Sequence, residues 1–95
     1  MFDYTINEIE SKMKKAIDLQ AMHAHNLANA DTPGFKPLKF DEELNKAVER
    51  QDRKHVIVEE ELSELSKNSV KYSAYVKLMS QKLNILRTIA TQGRK

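Results

Sequence analysis

The sequence contains no cysteine and no tryptophan, and only two glycines and two prolines among its 95 residues. Without cysteine the chain can form neither a disulfide nor a Cys-based metal site. Because turn-forming residues are scarce while Glu, Lys, Leu and Ala are frequent, the composition favours long helices over a strand-rich fold. No run of about 18 apolar residues occurs, so the sequence predicts no membrane-spanning helix.

The chain also lacks a large excess of charge of either sign. The chain carries 16 Lys and Arg against 14 Asp and Glu, and the two signs alternate along it. This pattern is typical of solvated helix faces and not of a phosphate-binding surface, which leaves a small helical DNA-binding protein as a weak alternative. The first ten residues show no basic region followed by an apolar run, so no cleaved secretory signal is predicted. If the chain works outside the cytoplasm, it must leave by a route that needs no such signal.

The residue types that usually form catalytic or metal sites do not lie at spacings that would bring them together. His23 and His25 are two residues apart, so on a helix they point to different faces and cannot share a metal ion. We expect solvated or interface histidines there and a strand-end residue at His55. The acidic run at residues 59–61 is interpreted as negative charge at a helix N-terminus, where the helix dipole favours it. The sequence thus predicts no catalytic, cofactor-binding or metal site.

A first helix is predicted over residues 5 to 30, because apolar residues recur mostly at steps of three, four and seven. Thr5 followed by Glu8 has the pattern of a capping box. Since alanine supplies little area to bury, this helix is expected to be marginal without a partner. Its apolar stripe consists of Ile6, Ile9, Met13, Ala16, Ile17, Ala24, Leu27 and Ala30.

The middle of the chain, residues 31 to 57, is predicted to form a turn, an extended segment and a short helix. Pro33 and Gly34 indicate a turn in which Gly34 takes a positive φ. A short helix is predicted over about residues 42 to 50, with Asp41 as its cap.

The last helix, predicted over residues 58 to 92, shows the clearest periodicity. Apolar residues recur at alternating steps of four and three for more than four heptads, interrupted by the polar Ser69. Such a helix would be about 50 Å long, and the shorter first helix cannot cover its whole stripe. Other chains are therefore expected to complete the core. We call this stripe the seam; it consists of Val58, Leu62, Leu65, Tyr72, Val76, Met79, Leu83 and Leu86.

Together these features predict an all-α chain with a single domain, residues 1 to 95. Its two long helices are expected to form an antiparallel coiled-coil-like hairpin. The heptads alone leave two readings open. One is a plain hairpin that dimerises, such as a soluble coiled-coil adaptor, and the other is a subunit of a larger assembly.

Residues 26 to 35 form the most specific pattern in the sequence. They read Asn-Leu-Ala-Asn-Ala-Asp-Thr-Pro-Gly-Phe, an Asn-rich helix end followed by a turn and an aromatic residue. Asn side chains in such a place can bond local backbone groups. The string resembles the N-terminal signature of the bacterial flagellar axial proteins, the family of rod, hook and distal-rod subunits. The matching residues are Asn26, Leu27, Ala28, Asn29, Thr32, Gly34 and Phe35.

The resemblance continues on both sides of the signature. Residues 39 to 44 and 60 to 89 resemble the corresponding segments of proximal rod proteins, with the C-type rod protein as second choice, while residues 45 to 57 are shorter than in that family. The resemblance implies a structural, non-enzymatic subunit without cofactors. Such a subunit would be exported by the flagellar type III apparatus and assembled in the periplasmic rod of the basal body.

In such a rod, the resemblance further implies, N- and C-terminal helices of many copies pack into a tube. The tube transmits torque and lines the export channel. The implied partners are other copies of the chain, other rod proteins, the MS-ring protein and a FliE-type adaptor.

Overall fold

A computed structural model describes residues 4–93 of the chain. The predicted domain of residues 1 to 95 extends beyond this range at both ends. The molecule is elongated, with dimensions of 65 × 24 × 22 Å. Its elements, in chain order, are α1 (Ile6–Ala28), β1 (Leu38–Asp41), β2 (Lys46–Glu49) and α2 (Val58–Gln92).

Helix α1 begins where the capping pattern places it. The Thr5 hydroxyl accepts the backbone N–H of Glu8 at 3.1 Å, which satisfies one of the free donors of the first turn and confirms the predicted N-cap. The helix ends at Ala28 and not at residue 30. Asn29 is its C-cap, and the Asn29 backbone N–H bonds to the carbonyl oxygen of His25 at 3.2 Å. The last helix, α2, has the predicted bounds.

The middle of the chain is a β-hairpin, so the predictions of a short helix at residues 42 to 50 and of an all-α fold are wrong. Strands β1 and β2 pair antiparallel, with Leu38 opposite Glu49 and Asp41 opposite Lys46. The fold is therefore mostly helical, with a two-stranded sheet between the two helices.

The physical reason for the hairpin lies in the turn at residues 42–45. The Asp41 carboxylate accepts the backbone N–H groups of Glu43 and Leu44 at 2.9 and 3.0 Å. Asn45 adopts a φ of 54°, a left-handed conformation that Asn tolerates better than most residues. A helix cap and an Asx turn use the same Asp side chain in similar ways. The left-handed Asn45 then leads the chain back into β2 and not into a helix.

The two helices run antiparallel, as their hydrogen bonds show. Asn68 of α2 donates to the carbonyl oxygen of Ala16, whereas Glu61, one heptad earlier in α2, accepts from Asn26 near the end of α1. Contacts therefore move toward the start of α1 as α2 proceeds. None of the helices within residues 4–93 is long and apolar enough to cross a membrane.

The side of α2 that faces α1 differs from the predicted seam. Three of the eight seam residues, Leu65, Tyr72 and Met79, are half-buried. The other five, among them Leu62 and Leu83, are exposed. In their place a line displaced by one residue turns inward: Glu61, Asn68, Tyr75 and Lys82.

The buried apolar core is small. Among the described residues the buried apolar side chains are Ile9, Ala16 and Met22 on α1, together with Pro37 just before β1. Ile17 and Ala24, which the α1 stripe includes, are exposed instead. A chain of this length with so few buried apolar side chains gains little stability from its own core.

Helix α2 extends beyond α1. Every residue from 83 to 92 is exposed, and Lys82 is the last half-buried residue of the helix. We call residues 83–92 the overhang. Because α1 begins at Ile6 and the helices are antiparallel, the overhang projects past the start of α1.

Candidate functional site

Asn26, the first residue of the signature, lies at the meeting point of three elements. Its side chain is fully buried. Its Nδ2 donates to the carbonyl oxygen of Leu38 at 2.9 Å and to Oε1 of Glu61 at 3.0 Å, and its Oδ1 accepts the N–H of Leu38 at 2.8 Å. One amide thus uses both of its donor hydrogens and its acceptor to tie α1 to β1 and to α2.

Glu61 completes this arrangement, which we call the polar junction: His23, Asn26, Glu61 and the backbone of Leu38. Oε2 of Glu61 lies 2.6 Å from Nδ1 of His23, and the two side chains are only 7% and 14% exposed. Both oxygens of the Glu61 carboxyl group thus have a hydrogen-bonding partner, which offsets the cost of burying this polar group.

A second buried polar contact lies one heptad further along α2. Nδ2 of Asn68 donates to the carbonyl oxygen of Ala16 at 2.7 Å and to Oε1 of Gln20 at 3.1 Å. A buried Asn in a helix pair is satisfied in one register only, because a shift of either helix leaves its amide without partners. Asn68 and the polar junction therefore set the register of α1 against α2.

The rest of the signature forms the turn after α1. Nδ2 of Asn29 donates to the carbonyl oxygen of His25 at 2.9 Å, and its Oδ1 accepts the hydroxyl of Thr32 at 3.2 Å. The N–H of Phe35 bonds to the carbonyl oxygen of Thr32, and the Phe35 ring packs edge-on against His25 with centroids 5.3 Å apart. The Asn29 side chain thus bonds a backbone carbonyl in the last turn of α1, and the Thr32 hydroxyl bonds Asn29 in turn.

Gly34 has a φ of 78°, which confirms the predicted positive φ. A Cβ added at this position would meet no atom within 4 Å, so only the backbone conformation requires glycine here. Of the remaining signature residues, Leu27 is half-buried and Ala28 is exposed. The signature therefore divides into one buried clamp, Asn26, and one exposed turn.

Two ion pairs brace the connector that precedes α2. Arg50 donates to both carboxylate oxygens of Asp52, at 3.0 and 2.7 Å, and this hydrogen bonding lowers the pKa of Asp52 to about 2. The same bond raises the pKa of Arg50. Arg53 donates to Glu60 in the first turn of α2, which lowers the pKa of Glu60. These pairs are largely exposed and are screened by water.

Sequence reasoning missed the polar junction apart from Asn26. It treated His23 as a solvated or interface residue and Glu61 as part of a charged helix start, whereas the structure buries them against each other. A weak signal was present in the sequence. Glu61 and Asn68 are one heptad apart, and His23 precedes Asn26 by one turn, so each pair lies on one helix face. Within residues 4–93 no group of three His, Asp or Glu side chains could hold a metal ion.

The seam lies mostly on the outside of the chain. Leu62, Leu83 and Leu86 are 51%, 46% and 50% exposed, and Val58 and Val76 are exposed as well. Leu65, Tyr72 and Met79 are half-buried at the edge of the helix pair. What this arrangement offers is a long apolar surface beside a rigid polar junction.

Comparison with known proteins gives two relatives. The chain is 34% identical to the flagellar basal body rod protein FlgB of Aquifex aeolicus (strain VF5) in an alignment of 92 positions, which covers 67% of this chain and 74% of that protein. It is 27% identical to the protein of the same name from Bacillus subtilis (strain 168) in an alignment of 127 positions, which covers 99% of this chain and 98% of that protein. Both alignments include positions at which this chain has no residue. No protein-family model matches the chain.

Proposed function

This chain belongs to the family of the flagellar basal body rod protein FlgB, and from that membership we propose that it is a subunit of the proximal rod that assembles through its two terminal helices. It is a structural component of the flagellar rod. We expect it to have no enzymatic activity, and to reach the periplasmic part of the basal body through the flagellar type III apparatus without a cleaved signal peptide.

The observation that carries this proposal is the exposure of the seam. A helix of 35 residues keeps Leu62, Leu83 and Leu86 about half exposed while the chain buries very few apolar side chains of its own. A long exposed apolar surface of this kind marks an interaction site. In the rod, coiled-coil-like packing of the seam against helices of neighbouring subunits would complete the core that one chain leaves open.

The polar junction supports a mechanical role. Directional hydrogen bonds hold α1, the hairpin and α2 in one arrangement, and a buried polar group resists displacement because losing its partners is costly. A subunit held in this way presents its seam as one surface. Stacked copies can then transmit torque and enclose an export channel.

The expected partners follow from family membership. They are other copies of this chain and other rod proteins along the axis, and the MS-ring protein with a FliE-type adaptor at the membrane end. A contact that repeats from copy to copy without closing builds a filament or tube.

The proposal is tested by deleting the gene in its own bacterium and restoring it with a tagged copy. We expect the deletion strain to be non-motile, with basal bodies that lack the rod. In the restored strain the tagged chain should purify with the basal bodies. Normal motility after deletion, or a chain that never enters basal bodies, would refute the proposal.

The exposed seam also fits a soluble coiled-coil adaptor, since a dimer would cover the same surface. Sedimentation of the purified chain separates the two functions when it is combined with the basal-body preparation. An adaptor forms a defined dimer and stays out of basal bodies, whereas a rod subunit enters them.

A further inference from the structure

The two sides of the helix pair are covered differently. The hairpin lies on one side of α1, where Asn26 holds Leu38 and Lys15 bonds Glu42 at 2.7 Å. On another side a groove runs between α1 and α2, with a volume of about 450 Å³. None of the residues that line this groove belongs to the hairpin, and none of them is charged.

Most of the side chains that line the groove are small or apolar, apart from Gln20 and Asn68. Ile17, Ala21 and Ala24 line it on α1, and Ser69 and Tyr72 line it on α2. Small side chains allow another helix to approach closely, because the distance between helix axes depends on the side chains at the contact. The exposed Leu62 and Val76 of the seam lie one heptad on either side of Ser69, so apolar surface extends along α2 for about 20 Å.

The overhang is apolar, like the groove. Its apolar residues Leu83, Leu86 and Ile89 recur at steps of three and are all about half exposed. Arg87 is the only charged residue between positions 83 and 92. The overhang is about 15 Å long, which the length of the groove can accommodate.

Within one chain the overhang cannot reach the groove. Ser69 and Leu86 lie on the same continuous helix, about 25 Å apart along its axis. Each copy therefore has one uncharged groove and one apolar projection with a single charged residue, Arg87, and the two cannot meet within one chain. A second copy of this chain can supply an overhang for the groove and a groove for the overhang.

We propose that the overhang of one copy docks in the groove between α1 and α2 of the next copy, with Leu83 and Leu86 seated against the alanines of α1. This inference rests on the proposed function as a rod subunit and specifies the contact between copies. The contact joins two different surfaces, so a docked pair still has one free groove and one free overhang for further copies. Repetition of such a contact builds a ring if the rotation between copies closes and a filament if it does not.

Cross-linking tests this contact, because the chain has no cysteine of its own. Two differently tagged variants, Ala24→Cys and Leu86→Cys, are expressed together, and isolated basal bodies are oxidised. We expect a mixed dimer with both tags, at least tenfold more abundant than any dimer from either variant alone. Asn84→Cys, which lies on another face of the overhang, serves as the control and should give no more than background with Ala24→Cys.

Other outcomes count against the contact in different ways. A Leu86→Cys dimer formed without the groove variant would show that two overhangs pair with each other, which overturns the proposal. The absence of any mixed dimer, although both variants enter basal bodies, overturns it as well while the rod function stands. If the parent chain itself does not enter basal bodies, the rod function fails with it.

A second variant tests the groove without cysteine chemistry. Ala24→Leu fills the groove at an exposed position, so the chain should fold normally while incorporation into basal bodies falls at least tenfold. Ala47→Leu adds the same side chain at an exposed position on the hairpin and should leave incorporation unchanged. Equal incorporation of the two variants would overturn the proposed contact.

Discussion

The two ends of helix α2 combine chemistry and burial in opposite ways. Near its start the polar side chains of Glu61 and Asn68 are buried, whereas near its end the apolar side chains of Leu83 and Leu86 are exposed. Both ends invert the usual preference of polar groups for water and apolar groups for the interior. At the polar end the chain satisfies its own hydrogen bonds, and at the apolar end it leaves apolar surface exposed.

The difference follows from the directionality of the two interactions. Hydrogen bonds to a buried Asn or Glu require fixed distances and angles, so they hold a single arrangement within one chain. The hydrophobic effect is non-directional and scales with the area removed from water. It therefore suits the proposed contact between separate copies of the chain.

The largest effect is expected from a variant that changes only the apolar end of α2. The double substitution Leu83→Asp with Leu86→Asp places charge on the overhang and should abolish rod assembly and motility, with the chain still exported. Because both positions are exposed in the isolated chain, its free energy of unfolding should change by no more than about 0.5 kcal/mol. The measurements are motility, the amount of chain in the culture fluid, and urea unfolding of the purified protein.

The matched control for this variant is Gln81→Asp with Asn84→Asp. It adds the same two charges at the same spacing on an outer face of α2 that lies away from the seam. This control should assemble. Normal motility of the Leu83 and Leu86 variant would show that the exposed apolar end has no part in assembly.

The next largest effect is expected from a variant that removes hydrogen bonds at the polar end of α2. Asn26→Asp keeps the shape of the side chain but removes the two hydrogen bonds that Nδ2 donates, and it places a carboxylate beside Glu61. We expect it to cost about 3 kcal/mol or more, because it leaves buried polar groups without partners and brings like charges together. Urea unfolding followed by circular dichroism measures the loss.

Two companion variants sharpen this result. Asn29→Asp makes the same chemical change in the exposed turn and should cost about 1 kcal/mol, the value of one ordinary hydrogen bond. Adding Glu61→Gln to Asn26→Asp should recover part of the stability, since an amide at position 61 can donate to the new carboxylate. If Asn26→Asp unfolds at the same urea concentration as the parent, the polar junction does not hold the fold together.

A smaller effect is expected at Gly34. Gly34→Val forces a β-branched residue into a φ of 78° and should cost about 1–2 kcal/mol through backbone strain. Beyond the neighbouring residues no atom lies within 4 Å of the added Cβ, so the expected cost comes from the local backbone conformation. Gly34→Asn should cost less, because Asn tolerates a left-handed conformation. Equal melting temperatures for the valine variant and the parent would contradict this account of the turn.

The smallest effect concerns the ion pair before α2. Arg50 lowers the pKa of Asp52 from 3.8 to about 2. A lowered pKa in the folded state means that the pair contributes stability above pH 3.8 and loses it as the pH falls toward about 2. The contribution is small because Asp52 is exposed. Asp52→Asn should flatten the fall in unfolding free energy between these pH values, and an unchanged slope would contradict the assignment.

Local sequence determined several features by itself. The bounds of α2, the Thr5 cap and the positive φ of Gly34 each depend on residues within a few positions of one another. Propensity, capping and turn chemistry act at that range. The family signature at residues 26–35 was also legible, and the relatives confirm the family that it indicated.

Only the tertiary structure decided which side of α2 turns inward. The heptad pattern places Leu62 and Leu83 in the seam but does not say whether the same chain or another one covers them. Asn26 meets Glu61 across 35 positions, and Asn68 meets Ala16 across 52. The place of the hairpin against α1 likewise involves a distant partner, since Asn26 of α1 bonds Leu38 of β1. Such partners are distant in sequence, and a buried polar group chooses its side of a helix by the partner that satisfies it.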